Sequence, residues 1–223
     1  ASILATGTQL KEIEDELNGR VRLIFQPAEE LGHGAFEIIN TGVLKGAKAV
    51  LGFHNYPTLK VGEFAIKSGA ITSAVDRFEF HIQGKGAHAA KPEQGNDPVI
   101  VVGQLINSLQ SIVSRNLSAF DSAVVTIGEV SCGNTWNVIA DQAYIQGTVR
   151  SFDSKKRQLI KQRMKEISDG LSQAFNVDIK FEYTQLPGAV VNDETLTQQA
   201  IEAAKEVGYN VQMMEEPLTI GED

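Results

Sequence analysis

The sequence predicts an α/β protein with a mostly parallel sheet, into which a smaller α+β unit of β-α-β-β-α-β order is inserted. Three observations lead there. Residues 1–54 alternate helix-like and strand-like runs, the signature of a parallel layer. From about residue 74 the apolar period falls to two and the order becomes strand, helix, strand, strand, helix, strand. After Pro187 a helical pattern returns. The inserted unit therefore occupies residues 74–186, and residues 1–73 with 187–223 form the surrounding domain.

Each element has a local reason. Ile3, Leu4, Leu10, Ile13 and Leu17 recur at helical spacing, and Asn18-Gly19 stops that helix. Residues 21–25 (VRLIF) read as a short buried strand, 34–41 as a helix closed by Gly42, and 47–53 as a second buried strand ending at His54. In residues 76–83, Phe78, Phe80 and Ile82 alternate with polar neighbours, which predicts a half-buried strand. Asn96 or Asp97 caps a helix with Pro98 in its first turn that runs to about residue 113. Strands follow at 123–130 and 143–152. Asp153 or Ser154 caps a long helix to residue 175, with Leu159, Ile160, Met164, Ile167 and Leu171 on one face. A strand at 177–183, the turn at Leu186-Pro187-Gly188 and a helix at 194–207 complete the chain.

Composition excludes several classes. A net charge of -8 with no basic patch argues against nucleic acid and against an acidic membrane surface. No run is long and apolar enough for a membrane span. A single cysteine, Cys132, allows no intrachain disulfide and suits a reducing compartment, so a cytoplasmic protein is expected. The absence of a starting Met, and an end at Gly221-Glu222-Asp223, predict a piece of a longer chain.

Several residues carry potential chemistry. Glu29 and Glu30 follow the strand at 21–25, where sheet-end sites form. One carboxylate there can hold a cation while the other takes a proton from water. The pair by itself is more simply a solvated helix start, where the dipole favours glutamate. His54 ends the next strand and is either a metal ligand or a hydrogen-bonded terminal histidine. His88 sits among small residues in Gly84-Lys-Gly-Ala-His-Ala-Ala, open to an oxyanion or simply part of a tight turn. Asn137 precedes a turn. Arg150 ends a strand and can clamp a carboxylate or lie at the surface. His33 in a Gly-rich turn, His81 between Phe80 and Ile82, and Cys132 carry no such signal.

Taken together and in order, Gln26-Pro-Ala-Glu-Glu, Gly52-Phe-His, Gly84-Lys-Gly-Ala-His-Ala-Ala-Lys-Pro, Asn137-Val-Ile, Gly147-Thr-Val-Arg and Gly221-Glu-Asp resemble the aminoacylase/hippurate hydrolase family of metal-dependent amidohydrolases. The likeness runs over essentially the whole chain. It implies a catalytic domain with two divalent metals (Zn, Mn, Ni or Co) and an inserted lid that forms a homodimer. It implies Glu29 as general base, Glu30 and His54 as metal ligands, and His88 as a carbonyl-polarising group reaching the partner's site. Asn137 and Arg150 would hold the substrate's carbonyl and carboxylate. The substrate would be a small N-acylated amino acid. A dipeptidase or carboxypeptidase of the same clan, or a non-catalytic dimerisation module, are the alternatives. The family's other ligands lie before Ala1 and beyond Asp223, so this chain alone is expected to bind metal weakly and not to turn over. Ala140 replaces a usual proline, and His33 a usual glycine.

Overall fold

The strand at Ala74–Gln83 and the strands on either side of it build the largest sheet. The computed structural model describes residues 2–29 and 34–222. They fall into two units, one up to residue 48 and one from 49 to 222, and each is taken by itself.

In the first unit, helix α1 (Ser2–Glu12) is followed by a tight helical turn (Glu14–Glu16), and α2 (Gly34–Asn40) lies further on. Residues 21–25 run alongside α1: a Cβ at Gly7 would stand 2.5 Å from Leu23 Cδ1, so glycine permits that approach. No residue of α1 is buried.

The second unit opens with β1 (Glu63–Ile66), β2 (Gly69–Ala70), β3 (Ala74–Gln83) and β4 (Ala87–His88). Helix α3 (Pro98–Ser111), strand β5 (Ala123–Cys132), β6 (Val138–Ile139), β7 (Gln142–Ser151), α4 (Ser154–Phe175) and β8 (Asp178–Gln185) follow. The chain closes with β9 (Val191–Asn192), α5 (Glu194–Glu206) and β10 (Asn210–Met213). The six long elements from β3 to β8 lie within two residues of their expected positions. Their caps are those the residues predict. Asp97 accepts from Val99 N–H at 2.8 Å, with Pro98 in the first turn. Asp153 accepts from Lys155 and Lys156 N–H at 2.8 and 2.9 Å, and Asn176 ends α4 in the left-handed region (φ 51°).

These strands form one sheet in the order β5-β7-β3-β8, and every neighbouring pair is antiparallel. The topology explains this. Helix α3 connects β3 to β5, and α4 connects β7 to β8, but in each case another strand is inserted between the two. Along β3 the burial alternates: Phe78, Phe80 and Ile82 are buried against α3 and α4, while Arg77, His81 and Gln83 are exposed. Leu105, Leu109, Ile145, Val149, Ile160 and Met164 complete that core, each fully buried. Burial of side chains this size stabilises by about 1.5–3 kcal/mol apiece. Phe80 also stacks on Phe181, with ring centroids 4.9 Å apart.

The expected mostly parallel sheet is therefore wrong. The fold is α/β with mixed pairing, and its largest sheet is antiparallel. Among the described residues, the parallel pairing is β1 with β10 and the single bridge Thr72–Leu218. Residues 21–25 and 47–53 form no strand, and Val21, Phe25, Val50, Leu51 and Phe53 are exposed. Their composition favours an extended backbone, but a strand exists only where a neighbour accepts its hydrogen bonds, and no described residue does. The parallel pair that does form, β1 with β10, was not anticipated from the sequence.

Candidate active site

The chemistry-bearing residues of the second unit gather at the two opposite ends of the long sheet. At one end, Gly84 N–H donates to Asp141 O at 2.8 Å, and the chain then splits off the short ladder β4–β6. His88 stands opposite Val138 there, and Ala89 N–H donates to Asn137 O at 3.1 Å. His88 and Asn137 are thus brought together by backbone pairing. His88 Nδ1 accepts from Ala90 N–H at 3.1 Å, which leaves Nε2 to carry the proton and donate outward. Thr135 Oγ1 donates to Asn137 Oδ1 at 3.4 Å. The glycines matter locally: a Cβ at Gly84 would overlap Asn96 O, and one at Gly95 would stand 2.7 Å from Lys85 O.

A cavity of about 420 Å³ adjoins this ladder, lined among others by Ala89, Asp97, Val99, Cys132, Thr135 and Val138. Burial, and then the charge of Asp97, push the Cys132 thiol above its ordinary pKa. Its Sγ lies 3.7 Å from Gln142 O, and the upward shift disfavours the thiolate.

At the other end, Arg150 stands opposite Val75 on β3 and Val124 on β5. The segment Thr219–Gly221 docks beside it. Ser73 N–H donates to Ile220 O at 3.0 Å, and buried Ser73 Oγ to Thr219 O at 3.0 Å. A Cβ at Gly221 would overlap Val75 Cγ2 and stand 3.6 Å from Arg150 Nη1, so the segment's backbone lies against the guanidinium. Next to it, Glu222 Oε2 is 3.6 Å from His54 Nε2. His54 Nδ1 is 2.7 Å from Asn55 O, which holds the Nδ1 proton and turns the Nε2 lone pair towards the carboxylate side.

The structure thus joins His88 with Asn137, and Arg150 with the segment that reaches His54. It separates the two groups. The 10-residue strand β7 lies between them, roughly 30 Å at about 3.4 Å per residue. Asn137 and Arg150 of one chain therefore cannot hold the same small molecule. Glu29 is exposed and belongs to the first unit. Glu30 and His33 lie outside the described residues. Sequence reasoning assigned no role to Glu222 or Gly221; the signal for both was the Gly221-Glu-Asp run.

Comparison with known proteins bears on all of this. The model of the peptidase family M20/M25/M40 matches residues 1–223. The chain belongs to this family. It is 45% identical over 223 residues to an N-acetyl-L-cysteine deacetylase of Bacillus subtilis, covering 100% of this chain and 53% of that protein. It is 35% identical over 210 residues to a hippurate hydrolase of Campylobacter jejuni, covering 92% and 55%. Among solved structures, it superimposes with a TM-score of 0.81 and 38% identity on the Bacillus subtilis YXEP protein, described as a dinuclear metal-binding peptidase of the M20 family, covering 99% and 56%. The chain spans about half the length of the relatives it matches.

The family is one of metal-dependent amidohydrolases, and a divalent cation requires imidazole and carboxylate donors close together. His54 Nε2 and the Glu222 carboxylate, an imidazole and an oxygen donor side by side, fit as two donors of such a set. Among the described residues no group of three or more His, Cys, Asp or Glu side chains is arranged to hold a metal. No helix of the described residues is long and apolar enough to cross a membrane.

Proposed function

We propose that this chain is part of an amidohydrolase that cleaves the amide bond of small N-acylated amino acids, its residues acting in a two-metal site. One observation carries the reading. Gly221, Arg150, Glu222 and His54 converge at one end of the sheet, putting a carboxylate-binding guanidinium beside two metal-type donors. An N-acyl amino acid offers the matching pair of groups, a carboxylate and an amide separated by a single carbon. The relatives named as a deacetylase and a hippurate hydrolase support the same substrate class.

The mechanism follows from the residues. Arg150 forms two charge-assisted hydrogen bonds to the substrate carboxylate and fixes the amide's position. Glu30, His54 and Glu222 would hold part of a divalent-metal centre, which when bound would supply Lewis acidity towards water and the scissile carbonyl. Glu29 is the general base: its carboxylate takes a proton from the attacking water and returns it to the leaving amine. His88 donates its Nε2 proton to the developing oxyanion, and the Asn137 side-chain amide donates beside it.

His88 and Asn137 serve a site formed with a second copy of the chain. The length of β7 between them and Arg150 supports this, because one chain cannot close around one substrate. Residues 74–186 form the inserted lid, and residues 1–73 with 187–223 the catalytic domain. Val75 N–H donating to Pro187 O at 3.2 Å, and Leu186 N–H to Val75 O at 3.1 Å, support a crossing there. The lid carries the dimer contact. Its edge strand β5 exposes Val124 and Val130, and α3 exposes Val99 and Ile100, an apolar edge suited to a second copy. A reducing, cytoplasmic setting suits a free, partly exposed thiol at Cys132.

The test is kinetic. Full-length enzyme is assayed on hippurate, N-acetyl amino acids and dipeptides, with bound metal measured. Glu29→Gln is expected to lower kcat by about 10³-fold or more while metal content holds. Turnover retained in that variant excludes Glu29 as the base. Cleavage of dipeptides in preference to acyl amino acids excludes the substrate class.

A further inference from the structure

We propose that Arg157 is a positioning residue: with Asp76 it latches together the two chain crossings at residues 73–76 and 186–187, and so holds Arg150 and the Ile220–Glu222 segment in the geometry that grips a carboxylate. The proposal rests on the reading of Arg150 given above.

Arg157 lies in the first turn of α4, where its N–H donates to Asp153 O at 2.9 Å. Its Nε donates to both oxygens of Asp76, at 2.9 and 3.1 Å, and Nη2 donates to Asp76 Oδ1 as well. The same Nη2 donates to two backbone carbonyls, Val75 O at 3.2 Å and Leu186 O. Val75 belongs to the entering crossing and Leu186 to the leaving one. One planar guanidinium therefore spans both connections between the β3–β8 body and the rest of its unit. Lysine, a point charge without the fork, cannot serve carboxylate and both carbonyls at once.

The group is built for permanence. Asp76 is 1% exposed, and its other oxygen accepts from Tyr183 OH at 2.8 Å. Asp76 O accepts from Thr148 Oγ1 at 3.0 Å. A core would be served by an apolar residue at position 76, as at positions 78, 80 and 82 of the same face. The sequence instead places a carboxylate there, paired with an arginine whose side chain is 13% exposed. Apolar replacements of such buried pairs are often neutral or stabilising, so stability alone does not account for a carboxylate here.

The latch reaches the site through Val75. Its carbonyl is held by Arg157 on the helix side. Its side chain is on the other face of β3, against Gly221 and in register with Arg150. Ser73, two residues back, holds the Thr219–Ile220 segment: its N–H donates to Ile220 O at 3.0 Å, and its hydroxyl is shared between Thr219 O at 3.0 Å and Ile220 O at 3.2 Å. Loosening the crossing at Val75 shifts the surface on which Gly221 and Arg150 meet, without touching a reacting atom.

The test uses full-length enzyme with Arg157→Met, Arg157→Lys and Tyr183→Phe. Each is assayed on an N-acyl amino acid and on its carboxamide, and followed by amide hydrogen exchange. In Arg157→Met, KM for the carboxylate substrate is expected to rise about tenfold with kcat within about twofold, and the carboxamide's constants are unchanged. Exchange is expected to speed about tenfold at Ser73, Val75 and Leu186, while Phe80 and Ile145 stay protected. Arg157→Lys shows the same pattern at smaller amplitude and serves if the Met variant does not fold. Equal losses on both substrates, or faster exchange throughout β3 and β7, overturn the proposal and leave Arg157 a fold-supporting residue. If the unmodified enzyme does not distinguish carboxylate from carboxamide, the assignment of Arg150 is what fails; the exchange measurement still decides the latch.

Discussion

Gly147 opens the Gly-Thr-Val-Arg run on the central strand β7, and replacing it with alanine probes how the sheet carries Arg150. A Cβ there would overlap two atoms, Thr126 O on β5 and Cζ of Phe78 on β3. Neither yields easily. The first is main chain in the β5–β7 ladder, and the second belongs to a ring with 0% exposure. Overpacking of this sort costs about 1–3 kcal/mol, and with one rigid and one fully enclosed neighbour the upper end applies. For a body of this size that lowers Tm by roughly 10 °C. Gly170, in the exposed stretch of α4, is the matched control. Nothing lies within 4 Å of a Cβ there, and alanine gains about 1 kcal/mol of helix propensity. Thermal and urea unfolding of Gly147→Ala and Gly170→Ala are expected to move in opposite directions. A Gly147→Ala protein whose Tm stays within about 2 °C of the parent would refute the close-packing argument.

Other expectations are briefer. Mixing subunits bearing Glu29→Gln with subunits bearing His88→Ala is expected to restore about a quarter of the sites, since half of randomly formed dimers are mixed and each mixed dimer rebuilds one intact site. No recovery on mixing would mean that His88 serves its own chain. Cys132 is expected to react with iodoacetamide at pH 8 far more slowly than free cysteine: its folded pKa is raised, so less thiolate is present there, and reactivity returns only as pH climbs or the protein unfolds. Alkylation at the free-thiol rate in folded protein would refute the argument that partial burial and Asp97 disfavour the thiolate.

Where sequence pattern succeeded and where it stopped follows one physical division. Period-two burial along β3, the Asp97 and Asp153 caps and the apolar stripe of α4 are local, and each was legible because a residue's neighbours in sequence are its neighbours on the element. The same patterns misled at residues 21–25 and 47–53. Val21, Phe25, Leu51 and Phe53 have strand-like chemistry, yet they are exposed and lie in no strand ladder with any described residue. Conversely β1, whose partner β10 pairs Glu63 with Asn210 far along the chain, left no local trace.

The sequence by itself determined the family, through motifs whose order is specific although each alone is weak. It also determined the elements of the β3–β8 body, through periodicity. Only the tertiary structure decided that its sheet is antiparallel, because strand direction depends on which distant segment takes the hydrogen bonds. It alone separated His88 and Asn137 from Arg150 by the length of β7, and set Glu222 against His54. Those relations join residues far apart in sequence, and no periodicity encodes a distance between two ends of a sheet.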